Sequence, residues 1–164
     1  MLVHAQIVGW GRYVPPKVLT NTDLEKMVET SDEWIRTRTG IRERHIAAPE
    51  ESTSTMAVKA AREALQVADV HPNELDLIVV ATSTPDYFMP PTASIVQDAL
   101  GASRAGAFDL NTACSGFVYA LATGSRFITG GTARNVLVIG ADTMSRIMDY
   151  TDRGTCIIFG DGAG

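Results

Sequence analysis

The sequence predicts an α/β layered fold, a mostly parallel sheet with helices on both faces. Three observations carry this. Strand-length apolar runs alternate along the chain with helix-length segments. The runs at 75–82, 106–110 and 135–141 lack the polar alternation of a half-exposed strand, as buried parallel strands do. A chain of 164 residues, 45% hydrophobic and 20% charged, has the size and composition to bury one ordinary core.

Residues 2–9 alternate loosely and read as a first strand, and Gly9, Gly11, Pro15 and Pro16 mark a loop after it. Thr20 to Glu25 opens a short helix with Thr20 or Asn21 as cap. Thr30, with Glu33 three residues later, has capping-box spacing for a second helix carrying Trp34, Ile35 and Arg38, which Gly40 stops. Residues 41–47 read as a strand or hairpin edge. A long helix, rich in Ala, Met, Lys, Arg and Glu, spans about 53–68. The strand at 75–82 leads through a loop bracketed by Pro85, Pro90 and Pro91 to a helix from Thr92 to Leu100, capped by Gly101. The strand at 106–110 is followed by a helix at 115–128 and the strand at 135–141. Residues 144–154 read as loop and 155–159 as a further buried strand, with Cys156 in the core. The glycines of 160–164 read as a tight turn that lets backbones pack closely. They do not match a phosphate loop, because the closing Lys-Ser/Thr is absent. The stop directly after an apolar strand is read as the end of one piece of a larger protein.

A net charge of −5 argues against nucleic acid, since phosphate binding needs clustered Lys and Arg. The basic residues that do cluster are Arg36, Arg38, Arg42 and Arg44, usually a solvated face, though also able to receive a phosphate-bearing ligand. Two cysteines without a leader suggest reduced thiols and a cytoplasmic setting rather than a disulfide framework. The first nine residues carry no basic stretch or cleavage site, and no apolar run is long enough to cross a membrane.

The most informative stretch is Ala107 to Phe117, a buried strand running into a sharp turn with Cys114 on it and an apolar helix behind. A lone cysteine between strand and helix is ordinarily a small buried hydrophobe. At a helix N-terminus, however, unpaired N–H groups and the positive end of the dipole favour thiolate, the nucleophilic form.

Five strings together resemble the β-ketoacyl-acyl-carrier-protein synthase III family. They are Thr30 to Ile35, Thr37 to His45, Ala107 to Phe117, Thr151 to Thr155 and Phe159 to Gly164. They run in the family's order from near residue 20 to the C-terminus. The resemblance implies the thiolase-like fold, of which residues 1–164 form the N-terminal half of a duplicated architecture.

It further implies a two-step reaction. A short acyl group moves from coenzyme A to Cys114, and decarboxylation of malonyl-acyl-carrier protein then gives a carbanion that attacks the thioester. Coenzyme A enters as substrate, with no cofactor and no metal, and the complete protein is expected to be a homodimer. The family's decarboxylation pair, a histidine and an asparagine, belongs to its second half. His4, His45 and His71 match neither, His4 and His45 being read as strand-associated and His71 as part of a turn. The isolated 164 residues are therefore expected not to condense.

By the same resemblance Trp34 and Arg38 hold the adenine of coenzyme A, Arg153 joins them, and Thr30 is a weaker binding candidate that helix capping explains equally well. The bland alternatives are an Arg stem packed on a half-buried Trp and a loop salt bridge from Arg153 to Asp149 or Asp152. Met89 reaches the partner's acyl pocket and Met144 lines the pocket; both also suit a plain core role. Primer length and branching stay open. So do a sister acyltransferase of secondary metabolism and a non-catalytic half-module.

Overall fold

The computed structural model describes residues 4–164. Its centre is a four-stranded sheet of β3 (Leu77–Ala81), β4 (Gly106–Leu110), β5 (Val136–Thr143) and β6 (Asp161–Ala163), in the order β4-β3-β5-β6. β3 runs parallel to both neighbours, Val79 lying opposite Phe108 on one side and Val138 on the other. β6 returns antiparallel to β5, with Asp161 opposite Thr143. A separate antiparallel hairpin pairs β1 (Lys17–Thr20) with β2 (Glu43–Ile46). Between its strands lie α1 (Asn21–Leu24) and α2 (Asp32–Thr39).

All five residues of β3 are buried, and their alternation serves two cores. Ile78 and Val80 join Leu137 and Ile139 beneath α3 (Thr53–Ala68) and α4 (Thr92–Leu100). Leu77, Val79 and Ala81 face the other way, toward Ala120 of α5 (Gly116–Thr129). Two apolar faces are why this strand shows no polar alternation. The inward stripe of α3 is Met56, Ala57, Ala60, Ala61 and Leu65, spaced three to four residues apart as a half-buried helix requires. Both helix stops read from sequence hold, Gly40 and Gly101 each taking a left-handed conformation, with φ of 74° and 71°. A third core joins Leu24, Ile35, Cys156 and Ile157 beneath the hairpin side of the molecule.

Several expectations are corrected. Residues 1–3 of the first expected strand lie outside the described residues, and residues 4–9 form no strand, so His4 is not strand-associated. That segment instead lies against α3. A Cβ on Gly11 would stand 2.2 Å from the Ala60 carbonyl oxygen, and one on Gly9 2.4 Å from that of Ala64. The glycines thus serve close packing on a helix, which a strand pattern does not reveal. Tyr13 then bridges Ala163 across the sheet edge through bonds of 2.8 and 2.9 Å.

Residues 155–159 form turns rather than a strand, because Asp152 organises them locally. Its carboxylate accepts from Gly154 N at 2.9 Å and Thr155 Oγ1 at 2.6 Å. Cys156 is nonetheless fully buried, as expected of a core residue. Residues 161–163 are strand β6 rather than a tight turn. The buried Asp161 carboxylate anchors it, accepting from Ala47 N at 2.7 Å and Ser145 N at 2.8 Å. The capping reading for α2 also shifts by one residue. Ser31 accepts from Trp34 N at 3.1 Å, while the Thr30 hydroxyl is buried with no partner among the described residues.

Candidate active site

β3, β4 and β5 are parallel, so their carboxyl ends open on one edge of the sheet, where ligands of α/β proteins collect. After β4, a 3₁₀ turn (Ala113–Ser115) carries Cys114 and runs directly into α5. Cys114 is exposed, unlike Cys156. Among the described residues no side-chain cap bond is made at the start of α5, so the positive end of its dipole lies open beside the thiol. Ala113, just before it, holds a left-handed φ of 48°, and Asn111 Oδ1 accepts its N–H at 3.2 Å. Burial, reinforced by Asp152, pushes the Cys156 thiol upward, which keeps it protonated and inert. The two cysteines thus divide into one exposed thiol and one core filler.

The segment between β3 and α4 is pinned along its length by three aspartates. Asp142 accepts from Ser83 N at 2.8 Å and from Thr84 N at 3.1 Å. Asp86 accepts from Ser52 Oγ at 2.9 Å and Ser54 N at 3.1 Å, at the start of α3. Asp109 accepts from Thr92 N at 2.8 Å and Ala93 N at 2.7 Å, capping α4, whose own cap position is Pro91. Between these anchors Tyr87, Phe88 and Met89 are presented outward, Phe88 at 97% exposure. Met89 is exposed too, so among the described residues it fills no core. Met144 opens the 3₁₀ turn after β5 and is half-buried. A cavity of about 310 Å³ lies between these loops, lined by Ser83 to Asp86, Thr143, Arg146 and Ile147; neither methionine lines it. Sequence reasoning passed over the three aspartates and Phe88. For Asp109 and Asp142 the available signal was an Asp inside a parallel strand, a charge that needs hydrogen-bond donors close by; Asp86, in the loop, carried no such signal.

On the same edge the excursion from β5 to β6 brings Arg153 to α2. The Arg38 guanidinium carbon stands 4.4 Å from the centre of the Trp34 ring, and that of Arg153 stands 4.6 Å from it. The structure therefore joins three of the sequence-predicted residues. Arg153 makes no ion pair among the described residues; Asp149 and Asp152 are taken by Thr151, Gly154 and Thr155. Thr30, directly before the α2 cap, makes no hydrogen bond through its hydroxyl among the described residues. The arginine cluster read as one solvated face divides into separate roles. Arg36 pairs with Asp32 at 3.1 Å, Arg38 stacks, Arg42 is exposed, and Arg44 is buried. Among the described residues no group of His, Cys, Asp and Glu is arranged to hold a metal, and no helix is long and apolar enough to cross a membrane.

Comparison with known proteins bears on the fold and the family. The family model described as 3-oxoacyl-[acyl-carrier-protein] synthase III matches residues 108–164, the stretch from β4 through Cys114 to β6. A β-ketoacyl-[acyl-carrier-protein] synthase III of Xylella fastidiosa is 59% identical over 99% of this chain and 50% of its own length. That of Solibacter usitatus is 60% identical over 98% of this chain and 48% of its own. The crystal structure of the Aquifex aeolicus synthase III superposes with a TM-score of 0.94 at 56% identity, covering 96% of this chain and 51% of that one. The priming β-ketosynthase of the R1128 polyketide pathway superposes with a TM-score of 0.96 at 40% identity, covering 99% and 48%. The layered sheet is therefore the thiolase-like fold of these enzymes. Spanning about half the length of the curated relatives it matches, the chain is similar over nearly all of its own length to the β-ketoacyl-[acyl-carrier-protein] synthase III enzymes.

Proposed function

We propose that this chain is the N-terminal, acyl-accepting half of a cytoplasmic, dimeric β-ketoacyl-acyl-carrier-protein synthase III that begins fatty-acid synthesis. The observation that carries the proposal is the exposed Cys114 on the turn that leads directly into the N-terminus of α5. Its thiolate attacks the carbonyl carbon of a short acyl-CoA, a carbon–sulfur bond forms, and the coenzyme thiolate leaves. The backbone N–H of Cys114 is a candidate donor to the oxyanion that develops. Malonyl-acyl-carrier protein then loses carbon dioxide. The resulting carbanion attacks the acyl-enzyme carbonyl and returns the Cys114 thiolate. Trp34, Arg38 and Arg153 receive the adenine end of the coenzyme, an indole face and two guanidinium planes being suited to a flat base. Thr30 lies beside them in sequence. Met144 and, from a partner subunit, Met89 shape the acyl pocket; the 78% exposure of Met89 supports a role away from its own core.

On this reading the 164 residues supply the nucleophile and the coenzyme end, while the decarboxylating histidine and asparagine come from the other half. The complete protein, incubated with acetyl-CoA labelled in the acetyl group, should retain label at Cys114. Cys114→Ala should lose it, and the isolated 164 residues should make no β-ketoacyl product with malonyl-carrier protein. Label that persists on Cys114→Ala would sink the proposal, leaving the segment a non-catalytic module. The close superposition on a polyketide-priming ketosynthase favours one second reading, a priming enzyme of secondary metabolism. Turnover with polyketide but not fatty-acid carrier proteins would select it.

A further inference from the structure

Arg44, on β2, is 3% exposed and makes no ion pair among the described residues. A guanidinium keeps its charge at any ordinary pH, so its burial demands oxygen partners. Arg44 Nε donates to the Ile157 carbonyl at 2.9 Å, and Nη2 donates to the same oxygen. Nη1 donates to Asn21 Oδ1 at 2.5 Å. Asn21, itself 2% exposed, donates from Nδ2 to Asp32 Oδ1 at 2.8 Å and to the Ile41 carbonyl at 2.9 Å. Asp32 opens α2 and Ile41 follows its Gly40 cap. One asparagine thus holds both ends of the helix that carries Trp34 and Arg38. Arg44 orients that asparagine with one arm and holds Ile157, four residues past Arg153, with the other two nitrogens.

A buried charge of this kind is a poor way to gain stability, because a well-packed apolar side chain often does as well. What its directional bonds supply is a defined distance and angle between two segments far apart in sequence. Here those segments are α2 and the 151–158 turns, whose side chains meet on the Trp34 ring. We infer that Arg44 and Asn21 are positioning residues: their buried relay from Ile157 to both ends of α2 sets where Arg153 stands over Trp34, and so shapes the subsite for the adenine nucleotide of the coenzyme thioester. The inference rests on the coenzyme reading of that cluster given above.

The test uses the complete protein with Trp34 as its sole tryptophan, Trp10 and any others being replaced by Phe. Coenzyme A binding is measured by calorimetry and Trp34 accessibility by acrylamide quenching. Asn21→Asp keeps the acceptor for Arg44 but loses both donations and sets a carboxylate against Asp32. It should weaken coenzyme A binding and raise KM for acetyl-CoA about tenfold, with kcat and Cys114 alkylation by iodoacetamide unchanged. Acrylamide quenching of Trp34 should rise. The double variant N21D/D32N restores a donor–acceptor pair between these positions with reversed polarity. It should recover most of the affinity and the original quenching, which a merely space-filling role would not produce.

Equal affinity and quenching in the single and double variants overturn the inference, as does loss of Cys114 alkylation in step with affinity. Absence of coenzyme A binding to the unaltered protein refutes the coenzyme reading instead, and Trp34 quenching then still decides the relay. If Asn21→Asp does not fold, Arg44→Lys replaces it, since one ammonium cannot reproduce the fork. Unchanged quenching and affinity in that variant likewise overturn the inference.

Discussion

Glu51 is the group whose charge the structure uses most visibly, and its removal has a calculable pH signature. Its Oε1 accepts from Lys59 Nζ at 2.8 Å and from the Tyr13 hydroxyl, and Oε2 accepts from Ala48 N at 3.1 Å. Tyr13 in turn bridges Ala163 of β6, so the carboxylate links the sheet edge to α3 through Lys59, while the Glu51 backbone carbonyl separately accepts from Arg146. Lys59 first, then Tyr13, hold its carboxyl down from 4.5 to about 2. A shift of that size is worth up to about 3 kcal/mol at neutral pH. The Lys59 side chain is 46% exposed, and solvent screening reduces the figure to roughly 2 kcal/mol.

The native pKa lies below the unfolded one. The unfolded chain therefore takes the proton first, and the contribution is complete above 4.5 and is lost as pH falls through about 2. Glu51→Gln should cost roughly 2 kcal/mol at pH 7, and roughly 40% of that at pH 3, where the unfolded carboxyl is already protonated. Urea unfolding midpoints of the complete protein and its variant at the two pH values read this directly. An equal difference at both pH values, or a pH 7 difference below about 0.5 kcal/mol, would show that the charge does no such work.

Three further outcomes follow from the packing. Asp109→Ala removes the side-chain cap of α4 and should cost about 1–2 kcal/mol by thermal unfolding, with Cys114 alkylation unchanged. Gly11→Ala forces a methyl against the Ala60 carbonyl and should cost about 1–3 kcal/mol while making residues 4–12 more sensitive to limited proteolysis. Ile78→Ala, at a position with no exposed surface beneath α3, should cost about 2–5 kcal/mol in urea unfolding.

Local patterns carried much of this fold. β3, β4, β5 and the three long helices follow from apolar runs, helical spacing and glycine stops, because each of those signals is written within one element. The Cys114 turn was legible for the same reason: strand, turn and helix are contiguous there. Residues 155–159 were misread because an apolar run suits a buried turn as well as a strand, and the deciding bonds come from Asp152. Residues 4–9 are not the strand their pattern suggests because their partner is the backbone of α3, whose closeness no strand pattern records.

By itself the sequence determined the layered class, the succession from α3 through β3, α4, β4 and α5 to β5, and the identity of the nucleophile candidate, since these depend on residues near one another in the chain. The tertiary structure alone decided which arginine of the cluster is buried and which of them meet on Trp34. It also decided which aspartates hold the loop that presents Phe88 and Met89. Each of those outcomes depends on a hydrogen-bond or stacking partner far along the chain, Arg44 reaching Ile157 across 113 positions. A buried polar group must find its partner wherever the fold brings one, and no local pattern names it.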